Sequence, residues 1–332
     1  AAAELLVHNR KAKKFYNKLK QEVETKDEPH VLAVSFDFMQ NIQIPHVPVQ
    51  ETFYLRQLSV SVFCVHDIKS NLAHIYLYHE GVAKKGPNEV CSFLYDFLKT
   101  VPPQYTELHV YSDNCGGQNK NHALTRFLLA LTDSKRFMKI EQYFPVRGHS
   151  FLPCDRDFGM IKRELRRHDR IFSIHEITNL IIQSSKSHKF IVKEVHSEDV
   201  LEFKGWWSVF YRKNCISDET KNRNVPRNQK VHFLISSLKH FSYNAQFPAR
   251  IIGRAFIDSM VSHTFSLGQP ARPNLLLPDK EAYTSGKVPL KIAKVNDIRK
   301  LLPYVPQEFR DFYLEILNWP TAEQEVNEEN DD

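Results

Sequence analysis

The stretch ELHVYSDNCGGQNKN, residues 107–121, places an acid, two glycines and a run of amides directly behind an alternating apolar segment. ELHV is typical of a buried β-strand, and QNKNHALTRFLLALT, residues 118–132, is typical of an apolar helix. Asp113 therefore stands at the end of a predicted strand. We expect Gly116 and Gly117 to permit a tight turn there because they lack a Cβ. The free amides that open the helix are then placed to meet a phosphate group, although a plain polar loop with a helix cap also fits.

The same alternation of strands and helices extends on both sides of this stretch. VLAVSFDFMQ, residues 31–40, predicts a buried strand, and residues 54–68 and 73–80 predict two antiparallel strands of a hairpin. Residues 86–103 predict a helix with Asn88 as its N-cap, 139–146 a strand, and 155–170 a basic helix. Three strands followed by alternating helices and strands are typical of a mixed α/β architecture.

The flanking regions differ in character from this core. An amphipathic helix is predicted before it, over residues 4–25, and we assign residues 1–30 to that N-terminal helix and 31–172 to the α/β core. Residues 173–320 are interpreted as an α+β extension that either contacts a partner or supports the fold. Within it we predict helices at 176–187, 295–302 and 306–317, and strands at 189–195 and at GWWSVFYRK, residues 205–213. The acidic tail, residues 321–332, is expected to be disordered.

Composition narrows the class of protein and of partner. Apolar residues make up 42% of the 332 residues, which suffices for a large core, and no apolar run is long enough to predict a membrane span. The five cysteines are scattered, as is typical of reduced thiols in a cytosolic or nuclear protein. Six acids lie in the last ten residues, so the rest of the chain has a net charge of +12. A polyanion is the partner that this charge predicts, although many basic proteins bind nothing charged.

Three acidic positions are candidates for chemistry. Asp37 lies inside an apolar strand, where a carboxylate needs a partner; an arginine, a ring of backbone amides or a cation would serve. Asp113 ends the adjacent predicted strand, and two neighbouring carboxylates repel each other unless a cation lies between them. The third acid is expected in PVRGHSFLPCDRDFG, where helical periodicity does not decide between Asp155 and Asp157. Either of these also fits the role of a helix cap.

The segments SFDF, YSDNCGGQNKN and GHSFLPCDRDFG resemble those of eukaryotic transposon-derived proteins with a ribonuclease H-like DDE or DDD core. The element order over residues 31–170 also resembles that fold, which ribonuclease H, retroviral integrases and DDE transposases share. The resemblance implies a mixed five-stranded sheet flanked by helices. A Gly-His pair precedes the third acid in related families, which points to Asp155, with His149 nearby. Asp37, Asp113 and Asp155 are thereby implied as catalytic residues and metal ligands.

The resemblance further implies a DNA transposase that hydrolyses and transfers phosphodiester bonds. Two Mg²⁺ ions, for which Mn²⁺ would substitute, would lie about 3.5–4 Å apart between the carboxylates. The implied partner is double-stranded DNA, both transposon ends and target, bound by a nuclear protein that assembles as a homo-oligomer. Two alternatives stay open: a domesticated, catalytically silent DNA-binding or scaffold protein, and another nuclease on the same fold.

Basic residues near the acids predict a nucleic-acid surface. Lys162, Arg163, Arg166 and Arg167 form a stripe on the third predicted helix, and Lys120, Arg147 and His149 lie in loops at the same edge. Such residues contact phosphates and set affinity rather than sequence preference. A solvated helix face is the ordinary alternative for the stripe. The aromatic residues of GWWSVFYRK fit either base stacking or core packing.

Overall fold

A computed structural model describes residues 2–25, 28–271 and 273–323 of the chain. Residues 324–332 of the predicted disordered tail lie outside the described residues, whereas residues 321–323 are described and Thr321–Ala322 form a short strand. Among the helices within these ranges, none combines the length and the apolar character that a bilayer crossing requires.

A large mixed β-sheet forms the centre of the molecule. Its strands follow the order β10-β9-β8-β6-β5-β1-β3-β4-β7, and β2 pairs with part of β3. Two further short strands, β11 and β12, pair with each other outside this sheet. The strands are β1 (Val31–Phe38), β2 (Ile42–Ile44), β3 (Leu58–Asp67), β4 (Ala73–His79), β5 (Glu107–Tyr111), β6 (Lys139–Tyr143), β7 (Phe190–Glu194), β8 (His240–Asn244), β9 (Arg250–Arg254), β10 (His263–Ser266), β11 (Leu290–Lys291) and β12 (Thr321–Ala322).

The sheet has a central part whose strand order was predicted and outer strands whose place in the sheet was not. β1 is parallel to β5, and β5 to β6, while β3 is antiparallel to β1 and to β4. β8, β9 and β10 extend the β6 edge as antiparallel strands, and β7 adds to β4 in parallel. The described sheet therefore has ten strands rather than the five that were expected. The additional strands come from the region that was assigned to a separate extension, so residues 31–172 do not close the sheet.

Helices cover both faces of the sheet, because its strands alternate two apolar faces. On β1, Leu32, Val34 and Phe36 pack in one core cluster with α2 and α3, whereas Ala33 packs in the other with α1, α4 and α5. Odd-numbered residues of β1 thus face the layer of α1 and α4. The helices are α1 (Ala2–Glu24), α2 (Pro87–Thr100), α3 (His122–Asp133), α4 (Pro153–Leu165), α5 (Ile174–Gln183), α6 (Phe203–Trp206), α7 (Ile292–Leu301) and α8 (Arg310–Leu317).

The predicted N-terminal helix is present and is fixed to the sheet by a buried carboxylate. Glu22 on α1 accepts hydrogen bonds from Tyr111 at 2.6 Å and pairs with His109 Nδ1 at 2.7 Å. Phe15 and Leu19, on the same side of α1, are buried. Opposite charges and apolar contacts together place α1 over β5.

Three local predictions are wrong. The N-cap of α2 is Gly86, not Asn88, because Pro87 supplies the first helical residue and the Glu89 carboxylate accepts the N–H of Gly86 at 2.8 Å. GWWSVFYRK forms the short α6 and a 3₁₀ turn rather than a strand. α6 begins at Phe203, two residues before this segment, and a helical turn suits the apolar residues because Phe203 and Phe210, seven positions apart, are both buried. The basic helix α4 ends at Leu165, five residues earlier than expected.

Candidate active site

Asp37 and Asp113 lie side by side at the ends of two parallel strands. The register pairs Ser35 on β1 with Tyr111 on β5, so two residues further along Asp37 comes level with Asp113. Asp37 is an odd-numbered residue of β1, and the odd positions of β1 and β5 face α1 and α4. Asp113 follows two residues after Tyr111, the last residue of β5, and the side-chain amide of Asn119 contacts both carboxylates. The structure therefore brings together the two acids that the sequence placed at neighbouring strands.

Asn119 joins the two carboxylates. Its amide nitrogen donates to Asp113 Oδ1 at 2.8 Å and lies 3.2 Å from Asp37 Oδ1. Backbone amides supply the other donors: Phe38 N–H to Asp37 Oδ1 at 2.8 Å, and Cys115 N–H to Asp113 Oδ1 at 2.9 Å. The ordinary alternative of amide partners is thus partly present. Only one oxygen of each carboxylate has a partner among these amides.

The loop after Asp113 is built differently from the prediction. The carbonyl of Cys115 accepts from the N–H groups of Asn119 and Lys120 at 2.8 and 2.9 Å, which turns the chain. Neither Gly116 nor Gly117 has a positive φ, and a Cβ on Gly116 would meet nothing within 4 Å. The expected conformational need for glycine is therefore wrong here. α3 begins at His122, with Asn121 as its cap, so the preceding residues belong to the loop.

The structure separates the two candidates for the third acid. Asp155 lies half-buried in the first turn of α4, and its charge acts on Asp37. Asp155 Oδ2 also accepts a hydrogen bond from the N–H of Leu152 at 2.7 Å, so Asp155 has the helix-capping role that the sequence left open for it. Asp157 is fully buried and pairs with Lys189 and, at 2.7 Å, with His66. Asp157 therefore already has its counter-charges, and Asp155 is the acid that joins the other two.

Burial and crowding make the charged form of this site costly. Burial, followed by the nearby charge of Asp113, raises the pKa of Asp37 to about 7, although hydrogen bonds from Phe38 and Asn119 oppose the shift. Burial also raises the pKa of Asp155, and Asp113 adds to that effect. Lys85 lies near Asp37, but its ammonium group donates to Met39 O and Asn41 Oδ1, at 3.1 and 2.8 Å, rather than to a carboxylate. No ion pair to a described base neutralises the three acids.

The donor set suits a hard divalent cation. Within the described ranges, no three His, Cys, Asp or Glu side chains already stand at metal-binding spacing. The buried Asn119 Oδ1, however, has no hydrogen-bond partner, although a buried amide oxygen ordinarily has one. Three carboxylates and an amide oxygen are ligands that Mg²⁺ and Mn²⁺ prefer. The residues present therefore fit such an ion in kind, with Asp37, Asp113 and Asp155 as the candidates to hold it.

Residues 54–243 match the model of a family described as a domain of unknown function, DUF7869. The chain belongs to this family. Comparisons with curated proteins and with solved structures give no match. The part that matches DUF7869 includes Asp113, Asn119 and Asp155, whereas Asp37 on β1 precedes it. The candidate site of this DUF7869 protein thus combines the family region with a strand outside it.

The residues that were predicted to bind nucleic acid lie in different surroundings. Lys162 and Arg166 line one side of a groove of about 740 Å³, and Met39 and Asn41, just past Asp37, line it as well. Arg163 is exposed elsewhere on α4, and Arg167 pairs with Glu164 at 2.8 Å. Arg147 is exposed in the loop before α4, where His149 packs 5.1 Å from the ring of His8 on α1. The stripe is therefore divided between different surroundings.

Sequence reasoning missed several residues around the site. Asn119 was included only as one of several loop amides, and its position between two carboxylates depends on the path of the loop. Lys239 lies more than 100 residues away in sequence, yet its ammonium group contacts Asn114 Oδ1 at 2.6 Å. The run of amides after Asp113 was the available signal for Asn119. The sequence contained no comparable signal for Lys239.

Proposed function

We propose that this chain is the catalytic core of a DNA transposase, or of a protein derived from one, and that it cuts and joins DNA phosphodiester bonds with divalent metal ions. The observation that carries the proposal is that the charges of Asp37, Asp113 and Asp155 act on one another, while none of the three forms an ion pair with a basic side chain of the described residues. The charge of Lys162 offsets that of Asp155 only in part. Carboxylates crowded in this way need either protons or cations.

The arrangement of the central strands supports a ribonuclease H-like core. The order β4-β3-β1-β5-β6, with an antiparallel hairpin on one side of β1 and parallel strands on the other, agrees with the fold that the motifs resemble. Asp37 lies on β1, Asp113 two residues beyond the end of β5, and Asp155 in the first turn of α4. Acids from two adjacent central strands and a later helix are what the resemblance implies, which supports the proposal.

The residues of the chain have separable roles in this proposal. Divalent ions, when bound, would supply charge neutralisation and Lewis acidity to the phosphodiester and its attacking oxygen. Asn119 holds Asp37 and Asp113 together before any ion arrives. Asp155 is held at its place by the backbone of Leu152. Lys162 and Arg166 would bind the DNA backbone in the adjoining groove, where their charges set affinity.

Cleavage of DNA by matched variants tests the proposal. Wild-type protein should cut or join DNA in Mg²⁺ or Mn²⁺, and Asp37→Asn, Asp113→Asn and Asp155→Asn should each reduce the rate at least about a hundredfold while remaining folded. Asp169→Asn, an exposed acid just beyond α4, is the matched control. Full activity in any of the three variants would refute the assignment of that residue. Comparing transposon-end, branched and RNA–DNA hybrid substrates separates a transposase from another nuclease.

A further inference from the structure

A second, basic cavity lies behind the loop that carries Asp113. It has a volume of about 640 Å³, within the range of small-ligand sites. Asn114, Lys120, His122, Lys213 and Lys239 line it, and its described lining includes no carboxylate. The N-terminal end of α3 opens into the same cavity through Asn121 and His122. The cavity is therefore positively charged.

Two of these lysines are held together without a counter-charge. The ammonium groups of Lys120 and Lys239 both donate to Asn114 Oδ1, at 3.2 and 2.6 Å. Lys120 also donates to the carbonyl of Ser236 at 3.2 Å and packs over the ring of Phe144. It is only 8% exposed, and neither lysine forms an ion pair with a described carboxylate. Two lysine side chains crowded on one neutral acceptor lack charge compensation, which an anion bound between them would supply.

The positive charge continues behind the wall of the cavity. Arg126 on α3 is fully buried, and its guanidinium group donates to the carbonyls of Arg212 and Lys213 at 2.8 and 3.0 Å. These two hydrogen bonds fix the segment that brings Lys213 to the cavity. Because Arg126 is buried and held by these carbonyls, its positive charge has a fixed position behind the cavity. The cavity therefore has a preformed positive field rather than a flexible basic surface.

From this geometry we infer that the cavity binds a terminal phosphoryl group of a nucleic-acid strand, held between Lys120 and Lys239. In the loop, Asp113 belongs to the carboxylate cluster and Asn119 donates to it, while the next residues in sequence, Asn114 and Lys120, line the basic cavity. A strand whose phosphoryl group occupies the cavity thus passes beside the carboxylates. In naming a strand the inference rests on the proposed function, whereas capture of the phosphoryl group itself requires no metal ion.

Binding measurements without metal test the inference. In EDTA, calorimetric titration of the full chain compares one short DNA strand with a 5′-phosphate, the same strand with a 5′-hydroxyl, a deoxynucleoside monophosphate and inorganic phosphate. We expect the phosphorylated strand to bind most tightly. Lys120→Met and Lys239→Met should each weaken its binding about tenfold or more, because each removes a charged hydrogen-bond donor. Lys186→Met, at an exposed lysine beyond α5, should change nothing. If Lys120→Met fails to fold, Lys239→Met carries the test.

The outcomes separate the two proposals. Equal affinity for the phosphorylated and hydroxyl strands, or unchanged affinity in the folded lysine variants, would overturn the inference. A mononucleotide that binds as tightly as the strand would retain the phosphoryl site but overturn its assignment to a strand. Lysine-dependent strand binding by a protein that cuts no DNA would support this site and contradict the proposed function.

Discussion

Asp37 and Asp113 share a single hydrogen-bond donor, the side-chain amide nitrogen of Asn119, at the ends of adjacent parallel strands. One neutral amide cannot offset two negative charges, and burial, followed by the charge of Asp113, raises the pKa of Asp37 to about 7. The structure thus holds two acids together at a cost in stability, which is common where a fold is selected for function. The consequences are measurable.

The stability of the metal-free protein should fall as pH rises through the titration of Asp37. The pKa of Asp37 is raised from 3.8 to about 7, so the folded state holds this proton more tightly than the unfolded state. Its contribution is fully present below about pH 4 and is lost as pH rises to about 7, a change on the order of 2–4 kcal/mol in the free energy of unfolding. Urea denaturation in EDTA at pH 5 and pH 8 measures it. Asp37→Asn should be at least as stable as wild type at pH 8; a less stable variant would contradict the shift.

The two acids of α4 should behave oppositely on removal. Asp157→Ala leaves Lys189 and His66 without their buried partner and should cost about 3–5 kcal/mol of unfolding free energy. Asp155→Ala removes one helix-capping bond and relieves repulsion from Asp113, so it should cost no more than about 1 kcal/mol. Chemical denaturation at pH 7 compares them. Equal losses would show that Asp155 is as much a structural residue as Asp157.

The attachment of α1 should be strongest in a mildly acidic window. The pKa of His109 is raised above 6.5 by Glu107 and Glu22 against the opposing effect of burial, so its contribution is full below about pH 6.5 and is lost as pH rises through the raised value. The pKa of Glu22 is lowered below 4.5, mainly by His109 against burial, so its contribution is full above about pH 4.5 and is lost on acidification. Between those limits both contribute.

Glu22→Gln tests this window. The variant should lose most unfolding free energy relative to wild type at about pH 5.5, where both charges are present, and less at about pH 8.5. Denaturation curves at the two pH values give the difference. A pH-independent loss would mean that Glu22 acts only as a hydrogen-bond acceptor for Tyr111.

DNA affinity should depend on Lys162 and Arg166 more than on Arg167. Lys162 and Arg166 line the groove beside Asp37, so Lys162→Ala and Arg166→Ala should each weaken binding of double-stranded DNA and reduce the salt dependence of log K by about one. Arg167→Ala is the control, because Glu164 already pairs with Arg167. Fluorescence anisotropy at several salt concentrations measures both quantities. Equal slopes for all three variants and wild type would place the DNA elsewhere.

Short-range patterns predicted much of the fold and two members of the site. Apolar and alternating residues predicted β1, β3, β4, β5 and β6, and the predicted order of these elements placed Asp37 and Asp113 at adjacent strands, in agreement with the pairing of β1 with β5. The choice between Asp155 and Asp157 needed tertiary information. The partners of Asp157 lie on other strands or beyond α5, at His66 and Lys189, and no local pattern indicates them.

Long-range pairing accounts for the rest of what was missed. β8 joins the sheet by pairing with β6, about 100 residues earlier in the chain, and nothing in its sequence HFSYN indicates which strand it pairs with. GWWSVFYRK was predicted as a strand because aromatic residues favour strands, yet Trp206 donates to the carbonyl of Leu276 and the segment packs as a helical turn. Tertiary contacts of this kind override local preference.

Metal binding tests the central claim most directly. Titration of Mn²⁺ into the metal-free protein, followed by calorimetry, should show saturable binding that is lost in Asp37→Asn and in Asp113→Asn and is retained in Asp169→Asn. Loss in the first two variants alone would place the cation between the ends of β1 and β5. Absence of saturable binding by wild-type protein, or unchanged binding by Asp37→Asn, would contradict the account.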